Sequence, residues 1–280
     1  MNSNRDVLVV IGVGGMGRAI ARRQGAGKSV LLADFDEATL KAAADALAGD
    51  GHEVTTRRVD VASRESVRGL AEAASTLGGV TQVAHTAGLS PAQAPAPAIL
   101  AVDLLGVALV LEEFGRVIAA DGAGVVISSM AGHQGLAPLT PEQEAALANT
   151  PADELLGLPF LAPDRIAHPG IAYGIAKRAN HLQVQAASAP WGDRGARINS
   201  ISPGIVSTPM GRHELRSESG EIMRAMIEAS ATGRLGTPDD IASAAAFLLG
   251  PESGFVTGTD LLVDGGVIAA QRSGRLALPF

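Results

Sequence analysis

The chain has 280 residues, 46% of them hydrophobic but only 3% aromatic, with a formal charge of −7 and a sequence pI near 5.4. That length holds one large α/β domain or two small ones, and the scarcity of aromatics implies a core of Ala, Val, Ile and Leu, as in a parallel sheet covered by alanine-rich helices. The acidic balance, with no basic run, argues against a nucleic-acid partner, the absence of cysteine rules out disulfides and thiolate metal sites, and no apolar run approaches the ~20 residues of a membrane span. Met1 to Asp6 lacks the apolar core of a signal peptide, so a cytoplasmic protein that does not contact the membrane is expected.

Val7-Leu-Val-Val-Ile11 is a continuous apolar run of the kind shown by a strand buried on both faces, and it leads into Gly12-Val-Gly14-Gly15-Met16-Gly17. A helix from Arg18 follows. In a strand, glycine turn and helix, the glycines let the backbone approach a pyrophosphate resting on the helix N-terminus, which makes Gly12, Gly14, Gly15, Met16 and Gly17 candidate cofactor contacts. A second run, Ser29 to Ala33, ends in Asp34, whose carboxylate can accept from both ribose hydroxyls of an adenosine and repels a 2′-phosphate. Phe35 and Asp36 follow with no arginine or lysine in that turn, so the expected cofactor is NAD rather than NADP.

Glu37 to Leu47 reads as a helix, His52 to Val59 as a third strand closed by Asp60 and Val61, and Ser63 to Leu77 as a helix capped by Ser63. Asp60 and Val61 stand where an adenine ring would lie against a strand end, or Asp60 caps the following helix. Val80 to Thr86 is the fourth strand, ending at Ala87-Gly88. Ala98 to Ala120 reads as one long helix, Gly124 to Ser129 as a fifth strand, and Arg197 to Ile201 as a sixth that runs into Pro203-Gly204. Thr237-Pro238 starts a helix that Gly250-Pro251 stops, and Thr259 to Val263 is the last strand, before Asp264-Gly-Gly266. Repeated βα units without a linker predict a single α/β domain over residues 1–280: a doubly wound, Rossmann-type, seven-stranded parallel sheet with helices on both faces.

Tyr173 is the only tyrosine and Lys177 is one of three lysines, yet they fall four residues apart, which stacks them on one face of a helix. A phenol beside an ammonium group acts as an acid near neutral pH, because the positive charge favours the phenolate. With the glycine turn, Asp34, Ser129 and Pro203-Gly204 around this pair, the chain resembles the short-chain dehydrogenase/reductase family over nearly its whole length. The resemblance implies that Tyr173 is the general acid or base at a carbonyl oxygen and that Ser129 hydrogen-bonds that oxygen. It gives Lys177 the nicotinamide ribose and the lowering of the Tyr173 pKa. It also implies cofactor contacts at Ala87, Gly88, Pro203, Gly204, Val206 and Thr208, and a substrate-binding loop over 205–232, whose Met210, Met223, Met226 and Ile227 suit either a pliable pocket or core packing.

Four features depart from the family pattern. The glycine turn is one residue shorter and lacks a leading threonine. His85-Thr-Ala-Gly88 replaces Asn-Asn-Ala-Gly, which leaves His85 as a packed or partly exposed side chain. Asp103-Leu-Leu-Gly106 replaces Asn-x-x-Gly; the asparagine helps hold a water in a proton relay to the lysine, and an aspartate there also stabilises the ammonium of Lys177. Asp103 is therefore placed with the catalytic group, and an alkaline-shifted optimum is expected. Finally, Ser129 and Tyr173 stand 44 positions apart, so 133–170 is a helical insertion near the site, either a substrate lid or a subunit contact. Its Thr140-Pro-Glu-Gln143 and Thr150-Pro-Ala-Asp153 start two short helices. Its histidines, His133 and His168, are too far apart in sequence to argue for a metal, and none is expected.

The insertion, Asp34 and the tail Asp264 to Arg272 look most like the bacterial 3α-hydroxysteroid dehydrogenase/carbonyl reductase branch. The expected activity is NAD(H)-dependent interconversion of a secondary alcohol and a ketone on a mostly apolar small-molecule substrate. An NAD-binding isomerase or dehydratase, or an idle dinucleotide-sensing protein of the same fold, is the alternative. The resemblance further implies a homodimer or homotetramer, assembled through the helices Ala98–Ala120 and Ile171–Ala189, the last strand and the tail. The apolar C-terminus Leu276 to Phe280 suits burial against a neighbour or disorder.

Overall fold

Val7, Val9 and Ile11 of the first strand enter one hydrophobic core and Leu8 and Val10 enter another, and all five are fully buried. Alternation in a strand covered on both faces explains why the run is apolar throughout. The computed structural model describes residues 5–136, 138–166 and 168–277. In order, its first half comprises β1 (Asp6–Ile11), α1 (Gly15–Gln24), β2 (Ser29–Asp34), α2 (Glu37–Gly49), β3 (Glu53–Arg58), α3 (Arg64–Leu77) and β4 (Gly79–His85). Then come α4 (Ala96–Ile99), a π-helical turn (Leu100–Leu105), α5 (Gly106–Gly115), β5 (Ile118–Ile127), α6 (Pro141–Asn149), α7 (Ala152–Leu155) and α8 (Pro169–Gly192). The chain finishes with β6 (Arg197–Pro203), α9 (Pro209–Glu214), α10 (Gly220–Ala229), α11 (Pro238–Leu249), β7 (Asp260–Val263) and α12 (Val267–Arg272).

The seven strands pair in parallel in the order β3-β2-β1-β4-β5-β6-β7. Helices α3, α5 and α8 bury apolar side chains on one face of this sheet, and α1, α2 and α11 on the other. The strand order reverses between β1 and β4, and the crevice above the C-terminal ends of those strands is where open α/β sheets bind ligands. No helix among the described residues is long and apolar enough to cross a membrane.

The expected long helix Ala98–Ala120 ends at Gly115 and is not α-helical throughout. Helical backbone runs unbroken from Ala96 to Gly115 but changes from α4 to the π turn to α5, and Ile118 to Ala120 instead begin β5, six residues before the expected strand start at Gly124. Ile118 pairs with Val80 and Ala123 with Gln82, so the intervening residues bulge, with Asp121 at φ 61. Ala119 and Ala120 carry no periodic signal of their own, and sheet pairing decides their state. Strand β5 ends at Ile127, which leaves Ser128 and Ser129 just beyond it.

The insertion forms α6, α7 and a 3-10 turn at Pro159–Leu161, with a capping box between Thr140 and Gln143. Leu147, Leu155, Leu161 and Ile166 are buried in the same core as α5 and α8. Arg64 of α3 bonds Asp153 of α7 at 2.8 Å and Glu113 of α5 at 2.9 Å. The described part of the insertion thus packs as an outer layer of the core. Leu276 is buried, whereas Leu278 to Phe280 lie outside the described residues.

Candidate active site

The glycine turn is shaped by contacts that leave no room for side chains. At Gly12, with φ +88, a Cβ would lie 2.4 Å from the Ala87 nitrogen, and at Gly17 one would lie 2.0 Å from the Gly12 oxygen. Gly14, at the start of α1, has nothing within 4 Å of its would-be Cβ. A packed turn with one open edge at a helix N-terminus is a cradle suited to a pyrophosphate. Asp34 braces it: Oδ2 accepts from the Val13 amide at 2.8 Å and Oδ1 from the Asp36 amide at 3.0 Å.

These residues line a cleft of about 640 Å³ together with Gly15, Met16, Phe35, Asp60, Val61, Ala87, Gly88 and Thr208. Asp60 accepts from the Ala62 amide at 3.0 Å, while Ser63, not Asp60, caps α3. Thr208 caps α9 and packs on the turn, since a Cβ at Gly15 would fall 2.9 Å from its Cγ2. Pro203, Gly204 and Val206 stand off the cleft wall: Pro203 ends β6, and Gly204 and Val206 line a separate cavity of about 170 Å³. The substrate-loop methionines also divide. Met210 lines the cleft, whereas Met223, Met226 and Ile227 pack with Met130, Ile205 and Val267.

One neighbour at the adenosine end was not anticipated. No basic residue follows Asp34 in sequence, but parallel pairing sets Arg58 of β3 opposite it, with the guanidinium 4.4 Å from the centroid of the exposed Phe35 ring. The 23 residues between them hide this neighbour from a linear reading. Leu89, Gln93 and Val102 also line the cleft and were not anticipated, although Leu89 directly follows Ala87-Gly88.

At the other end Gly88 meets the catalytic group: a Cβ there would lie 3.1 Å from Asp103 Oδ2 and 3.4 Å from Lys177 Nζ. Asp103 sits in the π turn, fully buried, with Oδ1 accepting from the Leu89 amide at 2.8 Å and Oδ2 lying 3.0 Å from Lys177 Nζ. Widening of a helix at a functional position is a recurrent device, and here it aims the carboxylate inward. Lys177 is buried, its Nζ 5.4 Å from the centroid of the Tyr173 ring, and its carbonyl accepts from Ser128 Oγ at 2.9 Å. Ser129 follows β5 and caps the next turn by accepting from the Ala131 amide at 3.1 Å, with its hydroxyl against the Tyr173 phenol. The structure therefore brings Ser129, Tyr173, Lys177 and Asp103 together.

The charges in this group oppose one another. Burial is the largest influence on Lys177 and disfavours its ammonium form, yet the Asp103 carboxylate, with Tyr173, holds its pKa above the ordinary value. Burial pushes the Tyr173 phenol up; Lys177 and Ser129 pull it down, and Asp103 pushes it up again, so it stays above the usual tyrosine range. His85 is fully buried rather than partly exposed, and burial, with Lys177 nearby, pushes it down to about 3, so the ring is neutral. The insertion brings His133 not to His168 but to His181 of α8 and Asp260 of β7.

The family described as enoyl-(acyl carrier protein) reductase matches residues 12–145 and 142–268. A short-chain dehydrogenase/reductase of Alternaria brassicicola, bsc3, is 46% identical over 267 residues, which is 95% of this chain and 97% of that protein. A galactitol 2-dehydrogenase (L-tagatose-forming) of Cereibacter sphaeroides is 31% identical over 269 residues, 92% of each chain. A solved short-chain type dehydrogenase/reductase from Mycobacterium ulcerans shares the fold at a TM-score of 0.75 and 24% identity, covering 95% of this chain and 90% of its own. The chain belongs to the short-chain dehydrogenase/reductase family, a family of nicotinamide-dependent oxidoreductases of alcohols and ketones.

Proposed function

We propose that the protein is an NAD(H)-dependent oxidoreductase that interconverts a secondary alcohol and a ketone on a mostly apolar small molecule. The observation that carries this reading is the convergence of Ser129, Tyr173 and Lys177 at the Gly88 end of a cleft whose opposite end is closed by Asp34. The glycine turn and α1 would hold the pyrophosphate, Asp34 the adenosine ribose and Lys177 the nicotinamide ribose. Bound there, the cofactor accepts or supplies the hydride at the carbinol carbon.

The chain's own part is proton handling and alignment. In oxidation the Tyr173 phenolate takes the hydroxyl proton as the carbinol hydrogen leaves, and in reduction the phenol returns it to the carbonyl oxygen. Ser129 donates to the same oxygen and stabilises the charge that develops on it. Leu89, Val102 and Met210 supply apolar wall, which suits a less polar substrate than the galactitol named for one relative. The preference for NAD rests on Asp34, whose charge repels a 2′-phosphate although Arg58 stands beside it. Assembly into a dimer or tetramer is part of the same reading.

The test is a screen of apolar secondary alcohols and ketones with NAD(H) and NADP(H), read by nicotinamide absorbance. Turnover with NAD(H) is expected, and Tyr173→Phe should reduce kcat by about 10²–10⁴-fold or more while cofactor binding persists. Full turnover in that variant would remove Tyr173 from the mechanism. NAD binding without turnover on any substrate would favour the idle sensor.

A further inference from the structure

Behind the catalytic turn, three side chains that the proposed reaction does not use converge from separate elements. His133 is the last residue of the 3-10 turn that Ser129 caps, His181 lies one helical turn beyond Lys177 on α8, and Asp260 begins β7. His133 Nε2 is 2.7 Å from Asp260 Oδ2, and His181 Nε2 is 3.4 Å from Asp260 Oδ1. The two imidazole rings tilt against each other with centroids 4.7 Å apart, and the three donor atoms all lie within 4.8 Å of one another. We propose that His133, His181 and Asp260 form a binding site for a divalent transition-metal ion of the zinc type.

The donor set selects the ion. Two imidazoles and a carboxylate suit Zn²⁺, Co²⁺ or Ni²⁺, whereas Ca²⁺ and Mg²⁺ require mainly oxygen ligands. Tetrahedral bonds of ~2.0–2.1 Å set ligand atoms about 3.3 Å apart. The three donor atoms already lie within 4.8 Å of one another, so no edge has to close by more than about 1.5 Å. The 2.7 Å contact of His133 is a hydrogen bond and must widen by about half an ångström as the ion takes the place of its proton. His133 is the side chain with room to do so, at 21% exposure against 3% for His181 and 9% for Asp260.

The surroundings of Asp260 match those of a metal-bound carboxylate. Ser200 and Ser202 hydroxyls both donate to Oδ1, at 2.6 Å and 3.0 Å, which orients the group and leaves Oδ2 for a single bond to the ion. The His181 Nε2, 2.8 Å from the Ser202 hydroxyl, exchanges that partner for the ion. His133 also lines a cavity of about 310 Å³ with Gly132, Leu136 and Arg178, which provides an entry path and space for a water as fourth ligand. An ion here ties the turn after Ser129 to α8 and β7, so its role is to brace the catalytic turn.

The test uses the full-length protein, stripped with chelator, desalted and titrated with Co²⁺ alone and with Zn²⁺ alone. The expected result is visible Co²⁺ absorption bands that saturate at one ion per chain and are displaced by Zn²⁺, with a rise in Tm. His133→Ala and the near-isosteric Asp260→Asn should each weaken binding at least about tenfold, whereas His213→Ala, at an exposed histidine outside the cluster, should not. Absence of saturable one-per-chain binding, or unchanged affinity in either cluster variant with its fold intact by circular dichroism, overturns the proposal.

Discussion

Asp103 shapes the charge balance of the proposed catalytic group. Burial is the largest influence raising the Tyr173 pKa, and the Asp103 carboxylate adds to it, partly offsetting the pull of the Lys177 ammonium, so the phenolate forms only at higher pH. The sign of its removal follows. In Asp103→Asn the Leu89 amide keeps an acceptor, the negative charge is lost, and the Tyr173 pKa falls. The pH profile of kcat/KM for alcohol oxidation should then move to lower pH, and the alkaline loss of ketone reduction should begin earlier. A profile unchanged in both directions would show that Asp103 does not act on Tyr173. The residues of the proposed catalytic group stood out because each stands beside a strong local mark: a sole tyrosine at helical spacing from a scarce lysine, and a serine ending an apolar run. Arg58 and the His133, His181 and Asp260 cluster were not, because only sheet register and chain crossover bring those side chains together.

At the scale of elements, the segment between β4 and β5 shows what periodicity can and cannot read. Its apolar pattern announced a helix, but neither the π turn that aims Asp103 nor the early start of β5 has a residue-type signature. Both arise from tertiary demands, one from the buried partner Lys177 and the other from pairing with β4. The insertion was legible in the opposite way, since threonine-proline pairs marked both helix starts, although only Thr140 caps its helix and Thr150 instead ends α6, while nothing local revealed what they pack against. Leu155 decides between a core layer and a lid. It is fully buried in the core shared by α5 and α8, so Leu155→Ala should cost about 2–5 kcal/mol in urea unfolding. A loosely docked lid would lose less than about 0.5 kcal/mol, as surface changes do.

The whole molecule has two unlike sheet edges. Strand β3 ends the sheet with exposed Glu53, Arg57 and Arg58, charges that discourage pairing with another chain. Strand β7 ends the other side with Asp260-Leu-Leu-Val263, a mostly apolar, half-buried run carrying no cation. The elements beside β7 carry two of the largest exposed apolar side chains: Phe247 on α11 is 45% exposed and Phe255, in the loop before β7, is fully exposed. An edge left apolar and flanked by exposed phenylalanines is suited to burial against a second copy, whereas the β3 edge is suited to water. Light scattering coupled to gel filtration should therefore give a dimer or tetramer whose mass is insensitive to salt, because the contact is apolar rather than ionic. Substituting Phe255→Asp together with Phe247→Ser should lower the mass by one step of assembly and make Tm independent of protein concentration if the product is a monomer. A wild-type chain that is monomeric at all concentrations would mean that the β7 edge is tolerated in water, and an unchanged mass in the double variant would move the interface to α5 and α8.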